Sequence, residues 1–339
     1  MKVELKNSLV TLLFGLLLTV SLGSASLADT TSIKNNVKNS LDSKVNSKIN
    51  AATAAVSDKI SFFAKENLES IKYLDFEIKN QERLKPTFRI MSVNEILKMN
   101  SGTIFNQTSF NNHDGDQTIN IGLGTRKLFN NNKVILGSNI FYDHQFNDKH
   151  KRSGAGVEAI SSVFDLRGNY YNALSGRRTT SEGGIERAMD GWDTQMDYHL
   201  PIKQDVSIFL NAFEFESPDA TSTYKETGNK FGANAKLGNF QIEGGYMNDN
   251  QENDSYFGSI KYVVALGDKV KKDYYALSEI KDPITDKKMK DSYRTASLKN
   301  VKKAFEYTSV EEKLYQPVKR ENKIRVVKIS SSGFVASGF

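Results

Sequence analysis

The chain has 339 residues and a net charge of +6, a length that admits one large or two ordinary domains and leaves a soluble enzyme open. It carries 23 glycines, 14 tyrosines and 20 phenylalanines against 5 prolines and no cysteine, which argues against a leucine- and alanine-rich helical protein and excludes disulfides. The charge is local: from Asp268 onward there are 17 lysines and arginines against 10 acidic residues, so the preceding chain is near neutral and no nucleic-acid partner is expected.

The amino terminus reads as an address. Lys2 and Lys6 precede an apolar run from Leu9 to Val20, and Ser24 to Ala28 supplies the small residues of a cleavage site, so 1–28 is expected to be a signal peptide removed after Ala28. The apolar run is too short to span a bilayer as a helix, which takes about 20 residues. In the segment 29–70, Ile33, Val37, Leu41, Val45 and Ile49 recur at four-residue spacing, which predicts a short periplasmic helix.

From Ile71 the texture changes to short segments punctuated by Asn, Asp, Gly and Lys. Strands are expected at 71–79, 86–93, 102–110, 117–127, 133–143, 152–161, 163–174, 187–200, 204–216, 227–237, 240–248 and 255–266. The hairpin 118–143 shows the pattern best. Ile119, Ile121 and Leu123 alternate with Asn120, Gly122 and Gly124; Val134, Leu136, Ile140 and Tyr142 oppose Gly137, Asn139 and Asp143, with Ile135 and Phe141 as exceptions. Such a two-faced ribbon suits a sandwich with one buried face or a membrane barrel with one lipid-facing side. Later strands favour the barrel: Trp192 and Tyr198 alternate with Asp193 and Asp197, and Asp165, Arg167 and Glu243 are further inward candidates. Charges at inward positions are costly in a dry core and tolerable in a watery lumen. Phe110, Phe129, Tyr142, Phe146, Phe164, Tyr198, Phe240 and Tyr256 near strand ends fit interfacial girdles. The expected fold is all-β: a twelve-stranded antiparallel outer-membrane barrel over 71–267, with the short amino-terminal helix and a basic tail at 268–339.

The ordered runs FNQTSF (105–110), HDGDQTINIGLG (113–124), NIFYD (139–143), GAGVE (154–158), DGWD (190–193) and LP (200–201) resemble the translocator domain of the intimin and invasin family, the inverse autotransporters. The resemblance covers about 50–267. It implies a barrel that exports a carboxy-terminal passenger, with outer-membrane lipid, periplasmic chaperones and the barrel-assembly machinery as partners. Tyr315 to Arg325 resembles the basic stretch that follows such barrels. Two departures stand out: the lysine-rich stretch from Asp268 to Glu312, and a chain end about fourteen residues after Arg325, which leaves no room for a passenger domain of roughly 100 residues. A missing passenger makes a cell-surface receptor unexpected.

Other chemistry is weak. Gly154 to Ala159 matches G-x-G-x-x-A, but that motif needs a following helix to hold phosphate, and its surroundings alternate as strand. The glycines read instead as lumen-facing positions where strands bend or another backbone passes close. His113, His144, His150 and His199 are scattered, and no nucleophile arrangement is recognisable, so neither a metal, a cofactor nor an enzyme activity is expected. In the tail, Arg294 to Tyr315 is expected to be helical, and the basic residues beyond are expected to meet inward carboxylates such as Asp165, Asp193, Asp197 and Glu243 if the tail threads the pore. A translocator or anchor is the leading reading. A porin-like channel plugged by the tail and a soluble exported β-sandwich binding module are the alternatives.

Overall fold

The computed structural model describes residues 70–180, 183–202, 205–219, 222–264, 307–330 and 333–335. The expected signal peptide, the helix expected over Ile33 to Ile49 and the stretch 268–306 lie outside the described residues.

Alternating side chains produce strands throughout. In chain order they are β1 (Ile71–Gln81), β2 (Thr87–Met99), β3 (Gly102–His113), β4 (Asp116–Phe129), β5 (Val134–Gln145), β6 (Lys151–Ser161) and β7 (Phe164–Ala173), followed by two short ones, β8 (Arg178–Thr179) and β9 (Ile185–Ala188). Then come β10 (Asp190–His199), β11 (Asp205–Glu216), β12 (Lys225–Leu237), β13 (Phe240–Asp249), β14 (Ser255–Val264), β15 (Val326–Ser330) and β16 (Gly333–Val335). Twelve of them close into one antiparallel barrel, β1 to β7 and β10 to β14, each paired with its neighbour. Closure comes from β1 against β14, in register from Leu74↔Val264 to Gln81↔Phe257. No ladder of the wall is left with an open edge, which β-structure in lipid requires. The remaining four short strands form a separate sheet in the order β16-β15-β9-β8.

One expected strand divides in two. The segment 187–200 is not continuous: Ala188 ends β9 in the small sheet, and Asp190 begins β10 in the barrel. Between them Met189 is buried, and its backbone N–H donates to the Arg325 carbonyl at 3.0 Å.

The ends of the barrel differ. At one, strands are joined by the turns 100–101, 130–133, 162–163, 200–204 and 238–239; at the other, by 82–86, 114–115, 146–150, 174–189, 217–224 and 250–254. Both barrel termini, Ile71 and Val264, lie at the short-turn end. Phe129, Phe164, Tyr198, Phe240 and Tyr262 sit near this end, with ring contacts between Phe164 and Tyr198 at 5.0 Å and between Phe240 and Tyr262 at 5.2 Å. Phe110, Tyr142, Phe146 and Tyr256 sit near the other.

The wall separates two environments. Ile121, Leu123, Leu136, Ile140, Leu166, Trp192, Ile208, Phe231 and Ile260 are exposed on the outside, while Asn120, Arg126, Asp143, Arg152, Glu158, Asp165 and Asp197 are buried within. Gly122 and Gly124 serve close packing inside: a Cβ there would lie 2.3 Å from the rings of Phe141 and Phe105 respectively.

Candidate functional site in the lumen

The barrel encloses part of its own chain. Residues 307–330 form a linker that runs along the interior from the short-turn end to the long-loop end. Its entry is tied to two short turns: the Thr308 N–H donates to Ser162 Oγ at 2.9 Å, and the Val310 N–H to the Asn132 carbonyl at 2.7 Å. The described part of the expected helix is a single 3₁₀ turn, Glu311–Tyr315, and the rest of that prediction lies outside the described residues. The turn seats Val310 and Leu314 against Leu128, Ile135 and Ile160. Ile135 thus breaks the alternation of β5 because the linker gives it an apolar partner inside.

Beyond the turn the linker is extended, so its backbone groups need partners from the wall. Side chains supply them. Arg126, held by Glu158 at 2.6 Å and lying 4.7 Å from the centre of the Phe105 ring, donates to the Leu314 carbonyl at 2.8 Å and also to that of Gln316. Gln107 mimics a neighbouring strand: its Oε1 accepts from the Val318 N–H at 2.7 Å and its Nε2 donates to the Val318 carbonyl at 3.3 Å. The Val318 side chain packs with Val93, Phe105 and Phe141, which accounts for the inward Phe141. Asn169 Nδ2 donates to the Lys319 carbonyl at 3.1 Å, Arg152 Nη2 to that of Glu321 at 2.6 Å, and Asn120 Nδ2 to that of Asn322 at 3.0 Å.

Charges fix the side chains. Lys313 lies 3.5 Å from Asp165, Lys319 2.7 Å from Asp197, and Arg320 takes both oxygens of Asp143 at 2.7 and 2.8 Å. The Arg320 guanidinium lies 4.3 Å from the centre of the Phe141 ring and 5.3 Å from that of Tyr171. Gly154 stands beside it; a Cβ there would come within 3.0 Å of Arg320 Nη2. Glu321 pairs with Lys230 at 3.2 Å and with Arg325 at 3.3 Å, and Arg325 also pairs with Glu226. Tyr315 donates its hydroxyl to Glu95.

The residues expected to face the lumen divide by role. Asn120, Asp143, Asp165 and Asp197 contact the linker as just described. Arg167 braces the wall, 2.6 Å from Asp197 and 3.0 Å from Asp165. Asp193 accepts from Asn169 and from the Tyr171 hydroxyl, and among the described residues it pairs with no linker cation. Asn139 is buried beside Gly156. Glu243 lines a cavity of about 1360 Å³ that continues beside the linker, together with Glu77, Lys79, Arg89 and Lys261. Of the residues expected to face lipid, Ile121, Leu123, Leu136, Ile140 and Trp192 are exposed on the outer wall, and Ile119, Val134 and Tyr198 are half-buried there. Sequence reasoning missed Gln107, Arg126, Arg152, Tyr171, Lys230 and Glu226. Parity along β4 carried a signal for Arg126, which follows Asn120, Gly122 and Gly124 on the inward face. Among the described residues no three His, Asp or Glu side chains converge as a metal-binding set, and Gly154 and Gly156 lie inside β6 with a strand, not a helix, following.

The sequence matches the family described as inverse autotransporter, beta-domain, over residues 19–276. The chain belongs to that family. It is 27% identical over 155 residues to the inverse autotransporter adhesin YeeJ of Escherichia coli (strain K12), covering 44% of this chain and 6% of the relative. It is 30% identical over 103 residues to invasin of Yersinia enterocolitica, covering 30% of this chain and 12% of the relative. The matched parts are thus a small share of both relatives. A solved structure from "Unveiling the Mechanism Behind the in-meso Crystallization of Membrane Proteins" superposes with a TM-score of 0.58 at 18% identity, covering 76% of this chain and 99% of that one, which shows the shared barrel fold. The inverse autotransporter barrel is an outer-membrane protein of Gram-negative cells, and its apolar outer wall faces lipid.

Proposed function

We propose that this inverse autotransporter barrel exports its own carboxy-terminal segment and then anchors it, with the short-turn end in the periplasm and the long-loop end outside. The observation that carries the reading is the linker itself, an extended chain crossing the lumen whose backbone carbonyls are held by Arg126, Gln107, Asn169, Arg152 and Asn120. Backbone recognition suits a passage that many side chains must traverse, because it asks little of the sequence in transit. Short periplasmic turns and longer outer loops support the orientation. Passage as a hairpin is supported by the lumen: with one stretch of chain seated from 307 to 330, the cavity beside it leaves room for a second, moving stretch.

Orientation is tested by cysteine labelling, since the chain has no cysteine of its own. Thr223→Cys in the 217–224 loop is expected to react with a membrane-impermeant maleimide on intact cells, and Ser101→Cys only after the outer membrane is opened. The opposite pattern would overturn the proposal. The cavity also favours a second reading, a passive channel plugged by its linker, which conductance distinguishes.

A further inference from the structure

One contact of the linker lies at the long-loop mouth of the lumen. In the 174–189 loop, β8 and β9 form a hairpin through Arg178↔Glu186 and Thr179↔Ile185. The departing chain joins it: β15 lies antiparallel to β9 in the register Val326↔Ala188, Val327↔Arg187, Lys328↔Glu186 and Ile329↔Ile185, and then returns on itself as β16. Side chains specify this register. Val327 is wholly buried in a cluster with Tyr171, Met189, Phe213 and Phe215. Two residues earlier, Arg325 lies 4.4 Å and 4.7 Å from the centres of the Phe213 and Phe215 rings. A slip by one residue turns Val327 out of the cluster and draws Arg325 off both rings.

We propose that the β8–β9 hairpin is a strand template that captures the emerging chain by β-augmentation and arrests it in one register, making outward movement one-way. The idea rests on the export reading above. Its partner is an extended segment of this same chain with an apolar residue at every second position, as Val327 and Ile329 provide. As the chain slides, its backbone contacts with the wall exchange for equivalent ones and set no direction. Pairing with β9 does: it forms only once residues 326–329 have reached the long-loop mouth of the lumen, and backward movement must break the ladder. Arg320 on Asp143 and Arg325 between its rings and Glu226 then engage in the same register.

Disulfide trapping in the full chain tests the register. Glu186→Cys with Lys328→Cys places cysteines at paired positions; Glu186→Cys with Val326→Cys places them two residues out, beyond disulfide reach. Mild oxidation of intact cells is expected to link the first pair at least about tenfold more than the second, the ratio expected when two or more net backbone hydrogen bonds hold one register. A second variant replaces 178–188 with a Gly/Ser segment of equal length. Its barrel is expected to remain heat-modifiable, while surface exposure of a tag placed after Phe339 slows. Equal linking of both pairs, or an unchanged rate of tag exposure in the replacement variant, would overturn the template. Failure of the tag to reach the surface in the otherwise unaltered chain would overturn the export reading instead.

Discussion

Arg320 of the linker and Asp143 of β5 form a two-point ion pair in which neither side chain exceeds 1% exposure. The same carboxylate accepts from Arg152 at 2.8 Å and from Asn120 at 2.7 Å, so two buried arginines share one wall carboxylate. Breaking such a pair by removing one partner leaves a buried charge uncompensated.

The two partners are therefore unequal under mutation. Asp143→Ala strands Arg320 and Arg152 together and is expected to lose roughly 3–5 kcal/mol. Arg320→Met leaves Asp143 satisfied by Arg152 and Asn120 and loses less. The temperature at which the barrel's electrophoretic shift is lost should fall further for the aspartate variant; equal falls would contradict the shared-carboxylate arrangement.

Gly122 is predicted to resist any side chain. Phe141 lies over it so closely that a Cβ would sit 2.3 Å from the ring, and the ring also carries Val318 and Arg320. Gly122→Val should cost about 1–3 kcal/mol through overpacking and should raise protease cleavage within 315–325. An unchanged cleavage pattern would show that the ring has room to move.

The outer wall should obey the membrane. Ile140 is 62% exposed in the middle of β5, so Ile140→Arg is expected to cost about 2–4 kcal/mol near the bilayer midplane, whereas Ile140→Leu should be nearly silent. Unfolding in lipid vesicles measures both, and indifference to the arginine would place this face away from acyl chains.

Particular residues show how far the sequence can be read. Ile121, Leu123 and Ile140 declare their side by strict alternation, because a period of two assigns a strand residue to a face whatever lies opposite. Ile135 and Phe141 defeat that rule: the pattern gives the face but not what occupies it, and their partners Leu314 and Val318 are far along the chain. The expected strand at 187–200 joined β9 to β10 because Met189 carries no breaker; the separation comes from its bond to Arg325 in the linker. The linker was the least legible part. Its extended course beyond Tyr315 depends on wall side chains such as Gln107 and Asn169, which no local pattern announces, and of the helix expected over 294–315 the described part is the 3₁₀ turn Glu311–Tyr315. Asp165 and Asp197 were anticipated as partners of tail cations, and each takes a lysine; Asp193 instead serves Tyr171, and Glu243 faces the open cavity.

Conductance separates an occupied translocator from an open channel. In planar bilayers the full chain is expected to show a small steady current, and deletion of 307–339 a much larger one, since the linker fills part of the lumen along its length. A large steady current from the full chain would favour the channel reading, with the linker as a removable plug.

The central claim is that the chain enters the barrel from the periplasm and leaves it outside. It is tested most directly by a tag placed after Phe339 and labelled on intact cells. Labelling without permeabilisation, alongside a heat-modifiable barrel in the outer-membrane fraction, is the predicted result. A folded barrel whose tag reacts only after the outer membrane is opened would contradict it.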